Sequence, residues 1–306
     1  DGGENYARTN PSSRSGYMGR YGLIDNSTFI GNNATIGGAV CWTSPDGTII
    51  DSTFIGNNAT YGGAVYWHGG VEYINYTYNY FNVFAIHGDN GKVVNSEFIE
   101  NTAINGGAIY WTGENGNVSN SVFTDNYAEK GGAVYWQTIT ETAVYDTTMR
   151  TIYTKTVTTG NNGIIENSTF FANKANYETG LGGAIYWNTS SSNITDTTFL
   201  NNTASKGGAI YWVNGTKIDN STFRFNKAHT GSAIYEDASM TEMDIIDSSF
   251  LENRADSNTF EQFKITDVNE GIKVSAYYRG YDNIVNAMYN NGGEVYFTNV
   301  TYLGID

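Results

Sequence analysis

Cysteine occurs once in 306 residues, at Cys41. A single thiol excludes an internal disulfide framework and any zinc cluster built on cysteines. Proline occurs twice, which excludes collagen and proline-rich linkers. Lys and Arg number 16 against 31 Asp and Glu, for a formal net charge of −15. The basic stripe of a nucleic-acid or anionic-membrane binder is missing. No run of about 18 apolar residues exists, so no helix of this sequence spans a bilayer. What is present is 40% hydrophobic, too apolar for a disordered acidic tail. Glycine (36) and tyrosine (24) are abundant, and the sequence opens at Asp1 without Met, as a processed or excised piece of a longer chain would.

The glycines and aromatics recur in register. Phe29, Phe54, Phe98, Phe123, Phe170, Phe199, Phe223 and Phe250 anchor a unit of about 25 residues. Three residues after each anchor stands Asn: Asn32, Asn57, Asn101, Asn126, Asn173, Asn202, Asn226 and Asn253. Ala follows two residues later in every unit, and Asn or Asp stands three residues before every Phe. A Gly-Gly-Ala-(Ile/Val)-Tyr-Trp box closes the unit, as in Gly62–Trp67 and Gly207–Trp212.

Short β-favouring stretches broken by Asn and Gly-Gly, with no helix-length apolar run, predict one turn of a β-solenoid per unit. Coils stack at about 4.8 Å, which sets each residue type above its own copy. Phe then stacks on Phe, and the eight Asn form a structural ladder of side-chain amides. Asn also tolerates left-handed backbone at a corner, which would account for that column. The fold expected is all-β: a single parallel β-helix of about 10–12 coils from 22 to 306, with residues 1–21 as an N-terminal segment or cap.

Irregular spacing marks insertions. The interval from Phe54 to Phe98 is long, and Tyr73–Tyr78 within it resembles a degenerate coil. Surplus residues at 137–163 suit an extra coil or a hairpin arm, and 256–291 is a further irregular insertion. Insertions in solenoids collect on one face, often the binding face.

These boxes resemble the repeats of the chlamydial polymorphic outer membrane proteins. The fuller form, Asn-Ser-Thr-Phe, then Asn-x-Ala, then Gly-Gly-Ala-Ile-Tyr-Trp, resembles more closely the large adhesin-like surface proteins of methanogenic archaea. The resemblance covers roughly Gly22 to Asp256, with an echo from Gly292 to Tyr302. It implies a right-handed parallel β-helix outside the cell, used for attachment. Chlamydial members carry a C-terminal outer-membrane barrel, which nothing in this sequence resembles.

All six Trp residues share one column: Trp42, Trp67, Trp111, Trp136, Trp187 and Trp212. Adjacent strand residues face opposite sides, and Glu236 in the Trp column suggests that this column is the wetter one. The column is the candidate aromatic ladder for a glycan or protein ligand; the alternative is a stack that only rigidifies and covers the sheet. Twelve Asn-x-Ser/Thr sequons are candidate glycosylation sites: Asn26, Asn33, Asn58, Asn75, Asn117, Asn167, Asn188, Asn193, Asn201, Asn214, Asn220 and Asn299. Paired carboxylates of the glycosidase kind are absent from the sequence pattern, and so are the known calcium-loop signatures. The expectation is a non-enzymatic protein without cofactor or metal, located at the cell surface. Its expected partners are other cells, surface glycans or proteins. The alternative is a structural subunit of an extracellular filament or envelope layer, built from copies of itself.

Overall fold

The computed structural model describes residues 21–76, 81–146, 152–237, 242–256, 288–290, 294–298 and 300–303. One coil shows the plan. Thr48–Ile50 ends at a corner on Asp51, Thr53–Ile55 ends at a second corner on Gly56, and a Gly62-Gly63 turn leads into Val65–Trp67. Copies of these strands stack into parallel sheets. An isoleucine sheet runs from Leu23–Asp25 to Glu294–Thr298, and a phenylalanine sheet from Thr28–Ile30 to Thr301–Leu303, each with nine strands. A tryptophan sheet of eight strands runs from Val40–Trp42 to Met288–Asn290. A shorter alanine sheet of five begins at Tyr127–Ala128. Like pairs with like along the main columns, as in Phe98↔Phe123 and Trp111↔Trp136.

Among the described residues there are nine rungs, about eight turns, against the 10–12 coils expected from length. Two of the long intervals add hairpins rather than coils. Tyr73–Tyr76 belongs to a strand, Gly70–Tyr76, that pairs antiparallel with Phe81–His87. The surplus at 137–163 forms Ile139–Asp146 paired antiparallel with Ile152–Thr159. The expected cap at 1–21 lies outside the described residues except for Tyr21. The insertion at 256–291 does so except for Asp256 and 288–290.

The corners are set by backbone chemistry, though not by the column first expected. Asn26, Asp51, Asn95, Asn120, Asn167, Asp196, Asn220 and Asp247 all have φ between 43° and 51°, the left-handed region in which Asn and Asp are enriched. The second corner falls on the residue before the Asn ladder, from Gly31 to Glu252, with φ from 53° to 64°. The ladder Asn residues are not left-handed; they fill their column because an amide both donates and accepts. Asn101 shows the pattern: its Nδ2 donates to Phe54 O at 3.0 Å and to Asn126 Oδ1 at 3.0 Å, and its backbone N–H shares that same oxygen. Asn57, Asn101, Asn126, Asn173, Asn202 and Asn226 are fully buried, so no water substitutes for these bonds.

The Phe rings stack at 4.6–5.1 Å with planes within 10°. Opposite them lie the Trp rings. Trp67, Trp111, Trp136, Trp187 and Trp212 have no exposed surface, and Trp42 has 4%. The expectation of a wet Trp ladder is corrected: Val or Ile and Trp point inward, and the Tyr between them points out. Glu236, which suggested the opposite, is itself fully buried. The physical reason is a second glycine column. A Cβ on Gly91 or Gly116 would lie 2.3 Å or 2.5 Å from the indole of Trp67 or Trp111, so these corners leave room for the rings inside the coil.

Candidate functional site

Two hairpin arms leave the same corner of the solenoid, just after the Trp strand, in the second and fourth rungs. Between them the third rung makes only the short turn Thr112–Gly116. Arm one is Gly70–Tyr76 with Phe81–His87, and arm two is Ile139–Asp146 with Ile152–Thr159. Their roots are tied to the turn between them: Gly69 N–H donates to Thr112 Oγ1 at 2.9 Å, and Thr159 Oγ1 donates to Thr112 O. Glu141 joins arm to arm. It accepts from Val71 N–H at 3.2 Å and lies 3.6 Å from His68 Nε2. A Cβ on Gly70 would sit 2.1 Å from the Glu141 carboxylate, so the strand passes close only because it is bare there.

Alternation divides arm two into two faces. Ala143 is buried and Glu141 half-buried, whereas Thr140, Thr142, Val144, Thr154, Thr156 and Thr158 are exposed. Thr140 and Thr158 bond across the strands at 3.0 Å, and Thr142 and Thr156 at 2.8 Å. Over these residues the outer face is therefore an ordered set of hydroxyls and methyls. The spacing and the Thr-rich alternation were visible in the sequence. The Glu141 clamp was not, since its partners are a backbone N–H and a histidine on another rung.

The aromatic column that faces outward is tyrosine. Tyr66, Tyr110, Tyr135, Tyr186, Tyr211 and Tyr235 stack at 4.5–5.3 Å. Stacking covers them: Tyr110, Tyr135, Tyr211 and Tyr235 are only 5–8% exposed. Burial pushes the Tyr110 phenol up to about 12, and raises Tyr66, Tyr135, Tyr186 and Tyr211 as well. Lys206 Nζ lies 4.8 Å from the Tyr235 ring centre. Cys41 begins this column and is half-buried.

Below the arms, Asp89 stands beside Glu114, whose backbone N–H donates to it at 3.3 Å. Burial pushes the Asp89 carboxyl up to about 6; that N–H pulls it back, and the Glu114 and Asp46 carboxylates add to the rise. Because the folded value lies above the unfolded one of about 4, the linked stabilisation is full below about pH 4 and lost as pH rises through about 6. Asp89→Asn is expected to raise stability at pH 7 by about 1 kcal/mol, discounted for partial solvation, and to change little at pH 4. Urea unfolding at the two pH values checks this.

Among the sequons, Asn26, Asn33, Asn58, Asn167, Asn201 and Asn220 are exposed, while Asn117, Asn188, Asn193 and Asn214 are half-buried. Asn75 lies on arm one, and Asn299 lies outside the described residues.

Fold and columns together define a parallel β-solenoid of stacked aromatic and amide repeats. Residues 196–211 match the Chlamydia polymorphic membrane protein repeat, so the chain carries a repeat of that type. A stretch of 72 residues is 43% identical to metabotropic glutamate receptor-like protein R of Dictyostelium discoideum. That stretch is 23% of this chain and spans only 4% of the relative's length. Among solved structures, a trypsin-treated QnrB1, a plasmid-mediated fluoroquinolone resistance protein, is similar at a TM-score of 0.21 and 9% identity. That similarity covers 74% of this chain and 83% of the other.

Proposed function

We propose that this chain is an adhesin-like surface protein whose solenoid is a stiff shaft and whose paired arms contact the ligand. One observation carries the reading: two hairpins from alternate rungs leave the same corner and clamp together through Glu141. A shaft needs no such arms, and their cost in order is offset only by packing. The polymorphic membrane protein repeat at 196–211 supports a place at a cell surface. In this reading the chain is an extracellular glycoprotein, its exposed sequons Asn26, Asn167, Asn201 and Asn220 are the acceptor sites, and binding rather than catalysis is the task. The partner is another cell, a surface glycan or a protein.

Removing the arms is expected to leave the coil intact. Deleting 69–87 or 138–159 restores the 25-residue spacing found between the third and fourth rungs. Beads coated with intact chain are expected to attach to target cells or a glycan array, and the doubly deleted chain to lose attachment while melting cooperatively. Equal attachment by the armless, folded chain would overturn the reading. A polymer in sedimentation velocity would favour the filament subunit instead.

A further inference from the structure

Away from the arms, a shallow groove runs along the outside of the first three rungs. One wall is Asn33, Asn58 and Thr102, the other Thr35, Thr60 and Ile104, and the Ala column lies along the floor. We propose that this groove is a binding subsite for a neutral, linear polysaccharide. The site is separate from the arms and does not rest on them.

The groove exists because of what the wall column holds. In later rungs the column continues through Tyr127, Lys174, Thr203, Lys227 and Arg254. There, Lys227 lies over the Tyr177 ring at 4.8 Å and pairs with Asp256 at 3.1 Å, long side chains filling the space. The Ala floor follows suit: Ala59 and Ala103 are each 7% exposed, against zero for Ala128, Ala204 and Ala228. Short side chains in the first three rungs leave the strip open, and the bulk of Tyr127 closes its far end.

The walls suit sugar hydroxyls. Asn58 Nδ2 donates to Asn33 Oδ1 at 3.1 Å, which uses one donor of one amide and one lone pair of the other. Each amide has further capacity, and the Thr hydroxyls donate and accept. Two exposed rings flank the strip: Tyr127 is 40% exposed at the end of one wall, and Tyr61, next in the chain after Thr60, is 38% exposed. Such a mix of convergent polar groups and aromatic surface is the usual make-up of a ligand site. Repetition matters as well. The rungs present similar contacts about every 4.8 Å, a periodic site for a periodic ligand. Charge narrows the class. No lining residue is charged, exposed Glu129 and Lys130 offset one another just past Ile104 on the fourth rung, and the chain carries −15, so a polyuronate gains no cation in the groove and meets the like charge of the whole chain.

The test uses the full chain, made without N-glycosylation because Asn33 and Asn58 are sequons whose glycans would fill the groove. Isothermal titration with cello- and manno-oligosaccharides, from dimer to octamer, is expected to show affinity rising with length to about three sugars, one per rung, then levelling. Thr102→Arg, which refills the groove, and Tyr127→Ala, which removes the ring, are each expected to weaken binding about tenfold. Deletion of 138–159 is expected to leave it unchanged. Absence of binding across both series overturns the proposal, as does binding indifferent to both substitutions or equal binding of oligogalacturonates. Near-UV circular dichroism checks folding, and Thr60→Arg blocks the opposite wall should either variant misfold. Loss of cell attachment on arm deletion with oligosaccharide binding intact separates this proposal from the arm reading.

Discussion

Asn126→Asp is expected to destabilise the solenoid by about 4 kcal/mol or more at pH 7, and to recover part of that loss in acid. The side chain is fully buried. Its Oδ1 accepts from the Asn101 backbone N–H and from Asn101 Nδ2, both at 3.0 Å. Its Nδ2 donates to Phe98 O and to Asn173 Oδ1, both at 2.9 Å. A carboxylate keeps the shape and the two acceptances but donates nothing. Phe98 O loses its amide donor, and Asn173 Oδ1 faces a negative oxygen. Each unsatisfied buried group costs about 1–3 kcal/mol, and an unpaired buried charge about 3–5. Protonation restores one donor and removes the charge. The new carboxyl therefore has a folded pKa above its unfolded one, so the variant's stability falls as pH rises through that interval. Urea unfolding at pH 7 and pH 4 measures both effects. Asn33→Asp, exposed on the adjacent column, is the control and is expected to cost less than about 0.5 kcal/mol.

The ladder could be read in the sequence because a stacked coil repeats its chemistry at every rung. Eight Phe, eight Asn and a shared interval are enough to give strand order and register without any long-range inference. The direction of the Trp column was harder. A three-residue strand offers only one alternation, and Glu236 in the column pulled the reading outward. The decisive signal was present in another place: Gly47 and Gly116 stand five residues after Trp42 and Trp111, and in the arm-bearing rungs Gly91 and Gly163 take the same corner after the insertion. Glycine at a corner where Asn already supplies the left-handed turn implies a ring against its Cα. The arms were visible as surplus length and the groove not at all. A groove is set by the absence of bulk at Asn33, Asn58 and Thr102 relative to Lys174 and Lys227 several rungs away. That contrast acquires meaning only once the columns are aligned in space.

Removing two neighbouring rings, Trp111→Ala with Trp136→Ala, is expected to act on folding and not on recognition. The rings stack at 4.8 Å within 19° of parallel, and both are fully buried. Each truncation alone costs about 3–5 kcal/mol in lost transfer and cavity formation. The pair shares one cavity, so the two costs need not add, and a joint loss on the order of 6 kcal/mol follows. The indole N–H groups also leave Gly113 O and Gly160 O, which they reach at 3.1 Å. Their corner glycines gain nothing in return, since the space they leave open has no other occupant. Thermal melts followed by circular dichroism read the loss directly. Any fraction still folded at low temperature is expected to bind cello-oligosaccharides with the affinity of the unaltered chain, because neither ring reaches the surface. A double variant that melts like the parent but no longer binds would put the Trp column back on the outside and undo the inward assignment of every rung.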